Sequence, residues 1–363
     1  LARMMVGQGD EDKNDSSEVE RLKNVAQLLA MSVAAISPWA IQFSRGAWEV
    51  NLATSLMTWG VLASWQAVQW LERKHKVSWK WLAMSAFCFA LSMYTYHALR
   101  VISPILFGGV LLCLLMIQLR RKLTPFKSLQ ASLIIGCLFS ILLLPLILSF
   151  GQKNTQQRFA ETSLLADGQQ VKESNAAIEL AGSSSLSKIL LHRYIFMVKD
   201  LAMNYLSHFT LDFLFVSGDQ NPRHSQQFVG QLYLSEAVFV VMGFLFLAKK
   251  RKSFSAFLLF WMLIGVIPAG LTKAAPHALR TLPVLPVFIL TITFGIVGAA
   301  DQLTEIIKKY LNPKFIKPIQ ILFALTVVGL YLIQFLGFWR YLNYIYPTAS
   351  ANEWQYGYQQ MIA

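Results

Sequence analysis

The sequence predicts an all-α protein that crosses a membrane many times and carries one long polar loop on the outer side. Three observations support this. Of 363 residues, 55% are hydrophobic and 14% charged, and the mean hydropathy is +0.47, beyond the balance of a soluble globular chain. Apolar runs able to cross a hydrocarbon core of about 30 Å recur along the whole length. The lysines and arginines gather in short clusters between those runs, as in cytoplasmic loops. The net charge of +13 therefore reflects topology and headgroup contact, and nucleic acid is excluded as a partner. Cys88, Cys113 and Cys137 each lie inside an apolar run with no CxxC and no neighbouring His, so neither a disulfide framework nor a metal site is expected from them.

Residues 1–23 read as a polar, flexible cytoplasmic loop. The chain opens on Leu1 without an initiator Met, and the start of this loop is expected to be the tail of a lost helix. Transmembrane helices fill 24–150 and 232–338. The first runs from Asn24 to Phe43 and is bent or ended near Pro38. Further spans follow at Gly46–Leu71, Trp79–Tyr96, Ala98–Leu119, Leu129–Phe150, Leu232–Ala248, Phe254–Leu271, Thr281–Ala300 and Ile319–Phe338. If each span reverses direction, ERKHK (72–76), RRKLTPFK (120–127), KKRK (249–252) and the lysines at 308, 309, 314 and 317 all fall inside, giving nine spans. The loop 151–231 falls outside, where its seven basic and seven acidic residues are permitted. Within it, Gln152–Ser185 is predicted to be mobile, being rich in Gln, Ser, Ala and Gly. Leu186–Tyr205, with Ile189, Leu190, Met197, Leu201 and Tyr205 near helical spacing, is predicted to be an amphipathic helix lying on the outer interface. Residues 339–363 are expected to begin an extracytoplasmic tail or domain.

Charged side chains near the apolar runs mark the candidate chemistry. ISPWAIQFSRGAWEVN (36–51) places Pro38, Arg45 and Glu49 between two spans, where charge is costly unless paired, solvated or used. Glu49 follows Arg45 by four residues, the separation at which one helix would pair them. The competing role for Glu49 is general base toward an acceptor hydroxyl. The tetrapeptide HALR occurs twice, at His97–Arg100 and His277–Arg280. Each copy opens a span leading inward, where unsatisfied N–H groups and the positive dipole end of a helix meet an arginine. That combination is a receptor for phosphate at the outer headgroup level. With Arg45, three helices offer an arginine to one layer; the plainer alternative is three snorkelling anchors. In 208–236, Asp212, Asp219, Arg223, His224 and Glu236 precede a span. Asp219 and His224, with His208 or His277, form a candidate divalent-metal set, for which a hydrogen-bonded loop is the simpler account. The sequence has no Walker loop, no GxGxxG after a strand and no GxSxG, so nothing supports soluble-nucleotide chemistry.

Four stretches, SPWAIQFSRGAWEVNLA (37–53), YTYHALRVISP (94–104), FLFVSGDQNPRHS leading to GQLYL (213–234) and PHALRTLPVLP (276–286), bring a family into view. Together they resemble bacterial members of the dolichyl-phosphate-mannose protein mannosyltransferase superfamily. These are membrane glycosyltransferases of the GT-C fold, which also include the aminoarabinose transferases acting on lipid A. The likeness spans nearly the whole chain in the right order. It implies transfer of a hexosyl or pentosyl group from a polyprenyl-phosphate sugar, in one inverting displacement, at the outer face of the inner (plasma) membrane. The acceptor would be a protein hydroxyl, a lipid or a cell-envelope glycan. The resemblance implies Arg280 with His277 as the lipid-phosphate site, Arg45 and Glu49 as a second polar patch, and Asp219, Arg223 and His224 in the loop over the donor. The family's acidic residue in the first outer loop has no counterpart, because the chain aligns from the end of the second span. The main catalytic carboxylate is therefore expected upstream of Leu1, and Glu49 or the nearby Asn51 stands in the second patch. No cofactor is required beyond the lipid-linked donor, with a divalent metal as an option. The alternative function is a transporter or flippase of lipid-linked sugars, which should show mid-membrane polar residues and repeated spans. A third is a structural subunit anchored by its arginines.

Overall fold

The structure, a computed structural model, describes residues 16–120, 125–149, 161–164, 166 and 168–354. Most of the N-terminal loop, the centre of RRKLTPFK, Phe150, residues 151–160, 165 and 167 of the long loop and the end of the tail lie outside the described residues. In chain order the helices are α1 (Ser16–Ile36), α2 (Pro38–Arg45), α3 (Glu49–Lys74), α4 (Trp79–Thr95), α5 (Leu99–Arg120), α6 (Pro125–Ser149), α7 (Gln169–Leu180), α8 (Ser185–Leu190), α9 (Arg193–Ser207), α10 (Glu236–Lys250), α11 (Lys252–Gly270), α12 (Ala278–Thr281), α13 (Leu285–Tyr310), α14 (Ile316–Arg340) and α15 (Tyr346–Ala349). Among the described residues no strand forms; Ser163 and Thr272 make one isolated antiparallel bridge.

Five stretches are long and apolar enough to cross a bilayer: Leu99–Ile117, Gln130–Ser149, Lys252–Gly270, Ala278–Tyr310 and Pro313–Ala349. A sixth is added if the bent pair Glu20–Ile36 and Pro38–Arg45 is one span. The remaining predicted spans are also helical, but α4 and α10 have only 17 and 15 residues, and α3 is diluted by Asn51, Gln66, Gln69, Glu72 and Arg73.

The chain divides into two compact units: the first takes Leu1–Trp48, Thr210–Leu263 and Val284–Ala363, the second Glu49–Phe209 and Ile264–Pro283. In the first unit, α1 starts inside the predicted loop and breaks by 55° at Ser37, as Pro38 requires. Pro38 occupies the first turn of α2, where its missing N–H costs nothing, and the Ser37 hydroxyl accepts the Ala40 N–H at 3.4 Å as the cap. Helices α10 and α13 cross at glycines: a Cβ on Gly243 would lie 2.7 Å from the Thr291 carbonyl carbon, and one on Gly295 2.7 Å from that of Phe239. Small residues let two backbones approach where no water drives helices together. The apolar window of Ala278–Tyr310 is 78% buried and that of Pro313–Ala349 only 17%, so α13 is the core helix of this unit and α14 leaves most of its apolar surface exposed.

Glu236, the first residue of α10, is fully buried. It accepts the Tyr233 N–H at 2.8 Å and the Tyr331 hydroxyl at 2.9 Å, and the Tyr233 hydroxyl donates to the Ile36 carbonyl at 2.8 Å. One carboxylate thus ties α10 to α14 and, through Tyr233, to α1. Glu236→Ala strands two buried donors at about 1–3 kcal/mol each. We expect a clear fall in the melting temperature of the detergent-solubilised protein, and a smaller one for Glu236→Gln, which keeps an acceptor. An Ala variant as stable as the parent would show the carboxylate to be idle.

In the second unit α3 and α4 pack side by side, with Gly60 against the Phe89 ring and the hydroxyls of Ser64 and Ser85 bonded at 2.6 Å. Ser92 and Ser103 repeat this pairing between α4 and α5 at 2.7 Å, and Phe107 meets Phe139 of α6 at 4.5 Å. The long polar segment differs from expectation in two places. Gln169–Leu180 is a helix, because Gln170 donates to Asp200 (3.0 Å) and Ser174 to the Leu191 carbonyl (2.6 Å), holding α7 against α9. The predicted helix Leu186–Tyr205 is two helices, α8 and α9, separated where His192 caps the second. No residue of α9 is buried; Ile195, Val198, Met203 and Leu206 are exposed, whereas Met197, Leu201 and Tyr205, expected on the apolar face, are half-buried.

Candidate functional site

In the second unit the site is built on the turn after α11. Leu164 N–H donates to the Leu271 carbonyl and Lys273 N–H to the Thr162 carbonyl, both at 3.1 Å, while Asn204 of α9 donates its amide to the Thr272 carbonyl at 2.9 Å. Thr272 is thereby fixed. Its hydroxyl donates to the Ala269 carbonyl at 2.7 Å and accepts Nη1 of Arg280 at 2.6 Å, which orients the guanidinium. His277 is 8% exposed, and its backbone N–H donates to Nε2 of His208 at 3.0 Å. An Nε2 that accepts leaves the proton on Nδ1, which is 2.8 Å from the Asn204 carbonyl and donates to it. His208 is therefore a neutral bracket that positions the turn carrying His277 and Arg280.

Tyr96, between α4 and α5, is buried, and its hydroxyl has no hydrogen-bond partner among the described residues. The charges of both Arg280 and Glu49 act on it. Arg280 and Glu49 were expected from the sequence, and Tyr96 was not. Glu49 is exposed in the first turn of α3. His97 is exposed with its ring 4.4 Å from that of Tyr96, so the two HALR copies differ: one histidine faces out and the other is enclosed. Arg100 is half-buried and turns Nε toward the Met93 carbonyl at 3.4 Å.

The helical pairing of Arg45 with Glu49 is corrected. Helix α2 ends on Arg45, Ala47 takes a left-handed φ of 49°, and a new helix begins at Glu49, so the two residues do not share a helix face. Arg45 is exposed at the end of α2.

In the first unit the loop after the Asp212–Val216 turn holds a buried pair, His224 Nδ1 at 3.0 Å from Asp219 Oδ2, while Asp219 Oδ1 accepts the Asn221 N–H at 2.8 Å. The rings of Phe43 and Trp48 each lie 5.9 Å from that of His224. Arg223 is 3.8 Å from Glu353, an exposed pair of little energetic weight. Tyr346 clamps the loop: its hydroxyl donates to the Pro222 carbonyl at 2.6 Å and accepts from Gln42 (2.8 Å) and Trp354 (2.9 Å). The hydrogen-bonded loop expected as the simpler account is thus formed.

Beside it lies a cavity of about 10 Å³, lined in part by Gln42, His224, Gln226, Gln231 and Phe338. The three glutamines are each no more than 5% exposed. Gln42 Oε1, both amide atoms of Gln226 and Gln231 Nε2 have no hydrogen-bond partner among the described residues. Each such atom costs about 1–3 kcal/mol if left unmet. Sequence reasoning missed all three; Gln226 and Gln231 follow the 219–224 motif and Gln42 lies within α2, with nothing to mark them as enclosed.

Comparison of the chain with protein-family models, with characterised proteins and with solved structures finds no significant match.

Proposed function

We propose that this chain is an integral membrane glycosyltransferase that moves a sugar from a polyprenyl-phosphate carrier to a hydroxyl acceptor at the outer membrane face. The observation that carries the reading is Arg280, held by Thr272 next to the enclosed His277 at the start of the apolar run Ala278–Tyr310. A lipid-linked sugar keeps its tail in the bilayer and its phosphate at the headgroups, so its enzyme needs a fixed cation at that depth. The motif-by-motif resemblance of 37–53, 94–104, 213–234 and 276–286 supports the same reading.

In this reaction the acceptor oxygen forms a bond to the anomeric carbon as the bond from that carbon to the phosphate oxygen breaks. The acceptor proton passes to a carboxylate, and polyprenyl phosphate leaves with the electron pair. Charge grows on the departing phosphate, where a preoriented guanidinium acts best. Tyr96, whose hydroxyl has no partner among the described residues, is proposed as a second donor to the same oxygens, and Glu49 as the carboxylate of this chain for the acceptor proton. The topology proposed with it has all nine predicted helices crossing the membrane, with the basic clusters inside.

The test uses the full-length protein in vesicles, a polyprenyl-phosphate donor with a radiolabelled sugar, and an envelope fraction as acceptor. Label in a new glycosidic linkage is the expected result. Label that crosses the bilayer still attached to its lipid would turn the reading to a flippase.

A further inference from the structure

We propose that the small cavity beside the 219–224 loop is a subsite for a single sugar hydroxyl. The inference deepens the transferase reading and rests on it for the choice of ligand. Its geometry stands apart: three glutamines, each at least nine-tenths buried, meet at a space of about 10 Å³. That volume suits one water-sized group, such as an O–H projecting from a ring that stays outside.

The chemistry of the walls selects the group. Gln42, which lines the cavity, is held by its own amide nitrogen, which donates to the Arg223 carbonyl at 3.0 Å and the Tyr346 hydroxyl at 2.8 Å, leaving Oε1 as an unmet acceptor. Gln226 brings an acceptor and a donor, and Gln231 a donor. A metal cation would face amide N–H groups, and an anion would face carbonyl oxygens. A hydroxyl both donates and accepts, and satisfies the mixture. Phe338 closes the cavity with an apolar wall, which further disfavours a bare ion.

A site made to bond a hydroxyl should reject the analogue that lacks it, since the buried amides are then unmet again. The experiment measures binding of methyl α-glucoside, methyl α-mannoside, methyl α-galactoside and their monodeoxy derivatives to the full-length protein in nanodiscs, by saturation-transfer NMR. At least one parent hexoside is expected to bind, with one of its deoxy derivatives at least tenfold weaker. Gln226→Met keeps the shape and removes both amide atoms, so it is expected to bind parent and deoxy sugar equally. Gln231→Met serves the same purpose should the first variant fold poorly.

A Met variant that keeps the parental discrimination, or a parent protein that binds none of the hexosides, overturns the subsite and leaves the cavity to a structural water. The two readings fail separately. Hydroxyl-selective binding without transfer would sink the transferase and spare the subsite; transfer with unchanged discrimination in Gln226→Met would do the reverse. In the transfer assay, removing the hydroxyl from the donor or from the acceptor tells which sugar occupies the site, and an effect of neither counts against it.

Discussion

Arg280→Ala is expected to lower sugar transfer by about 10²–10³-fold, the usual cost of removing one preorganised group from a developing anion. The expectation follows from how the side chain is held. Thr272 accepts Nη1 at 2.6 Å, and the Thr272 backbone is itself fixed by Asn204, so the guanidinium is set before the substrate arrives. A long cationic side chain that only anchored a helix end would have no need of that brace. Arg280→Lys keeps the charge without the planar fork, so it should recover part of the rate. Thr272→Val removes the brace and leaves the guanidinium, so a loss of about tenfold is expected from misplacement. The readout is initial transfer rate at saturating donor alongside donor affinity. Transfer by Arg280→Ala within twofold of the parent would remove the phosphate site and, with it, the main support for the proposed reaction.

Local chemistry made much of the helical framework legible. The break at Pro38 and the helices over α3 to α6 follow from periodicity and proline geometry. What stayed hidden depends on partners far away in the chain. Gln169–Leu180 is too polar to announce a helix, and it forms because Gln170 and Ser174 find Asp200 and the Leu191 carbonyl. Arg45 and Glu49 looked like neighbours on one helix, yet a left-handed residue at Ala47 separates them, and alanine gives no warning of it. Within the site, Arg280 and His277 were visible as a motif. His208 was visible only as one option among metal ligands, and its role as a bracket depends on a bond across 69 residues. Tyr96 and the buried glutamines fall within the quoted stretches, but nothing there marks them out, since their importance lies in being enclosed without partners among the described residues.

The largest effect on stability is expected at Gly295. A Cβ there would meet Phe239 backbone atoms, at 2.7 Å for the carbonyl carbon and 2.8 Å for Cα, and backbone at a helix crossing cannot swing aside as a side chain can. Gly243 meets Thr291 in the same way from the facing helix, so both sides of the α10 and α13 contact are already at their limit. Gly298 differs in meeting side-chain atoms and no backbone: Phe246 Cγ at 2.8 Å, with its Cβ and Cδ2 at 2.9 Å. Gly295→Ala should therefore cost about 3 kcal/mol, the upper part of the range for overpacking, and Gly298→Ala about 1 kcal/mol. Gly295→Leu is expected to abolish a folded first unit, since α13 is the most enclosed of the candidate spans and has no free side to move toward. Melting of the purified variants in one detergent, monitored by tryptophan fluorescence, orders them. Equal melting of Gly295→Ala and Gly298→Ala would mean that α10 and α13 are not in backbone contact, and the assignment of α13 as the core of its unit would fall with that contact.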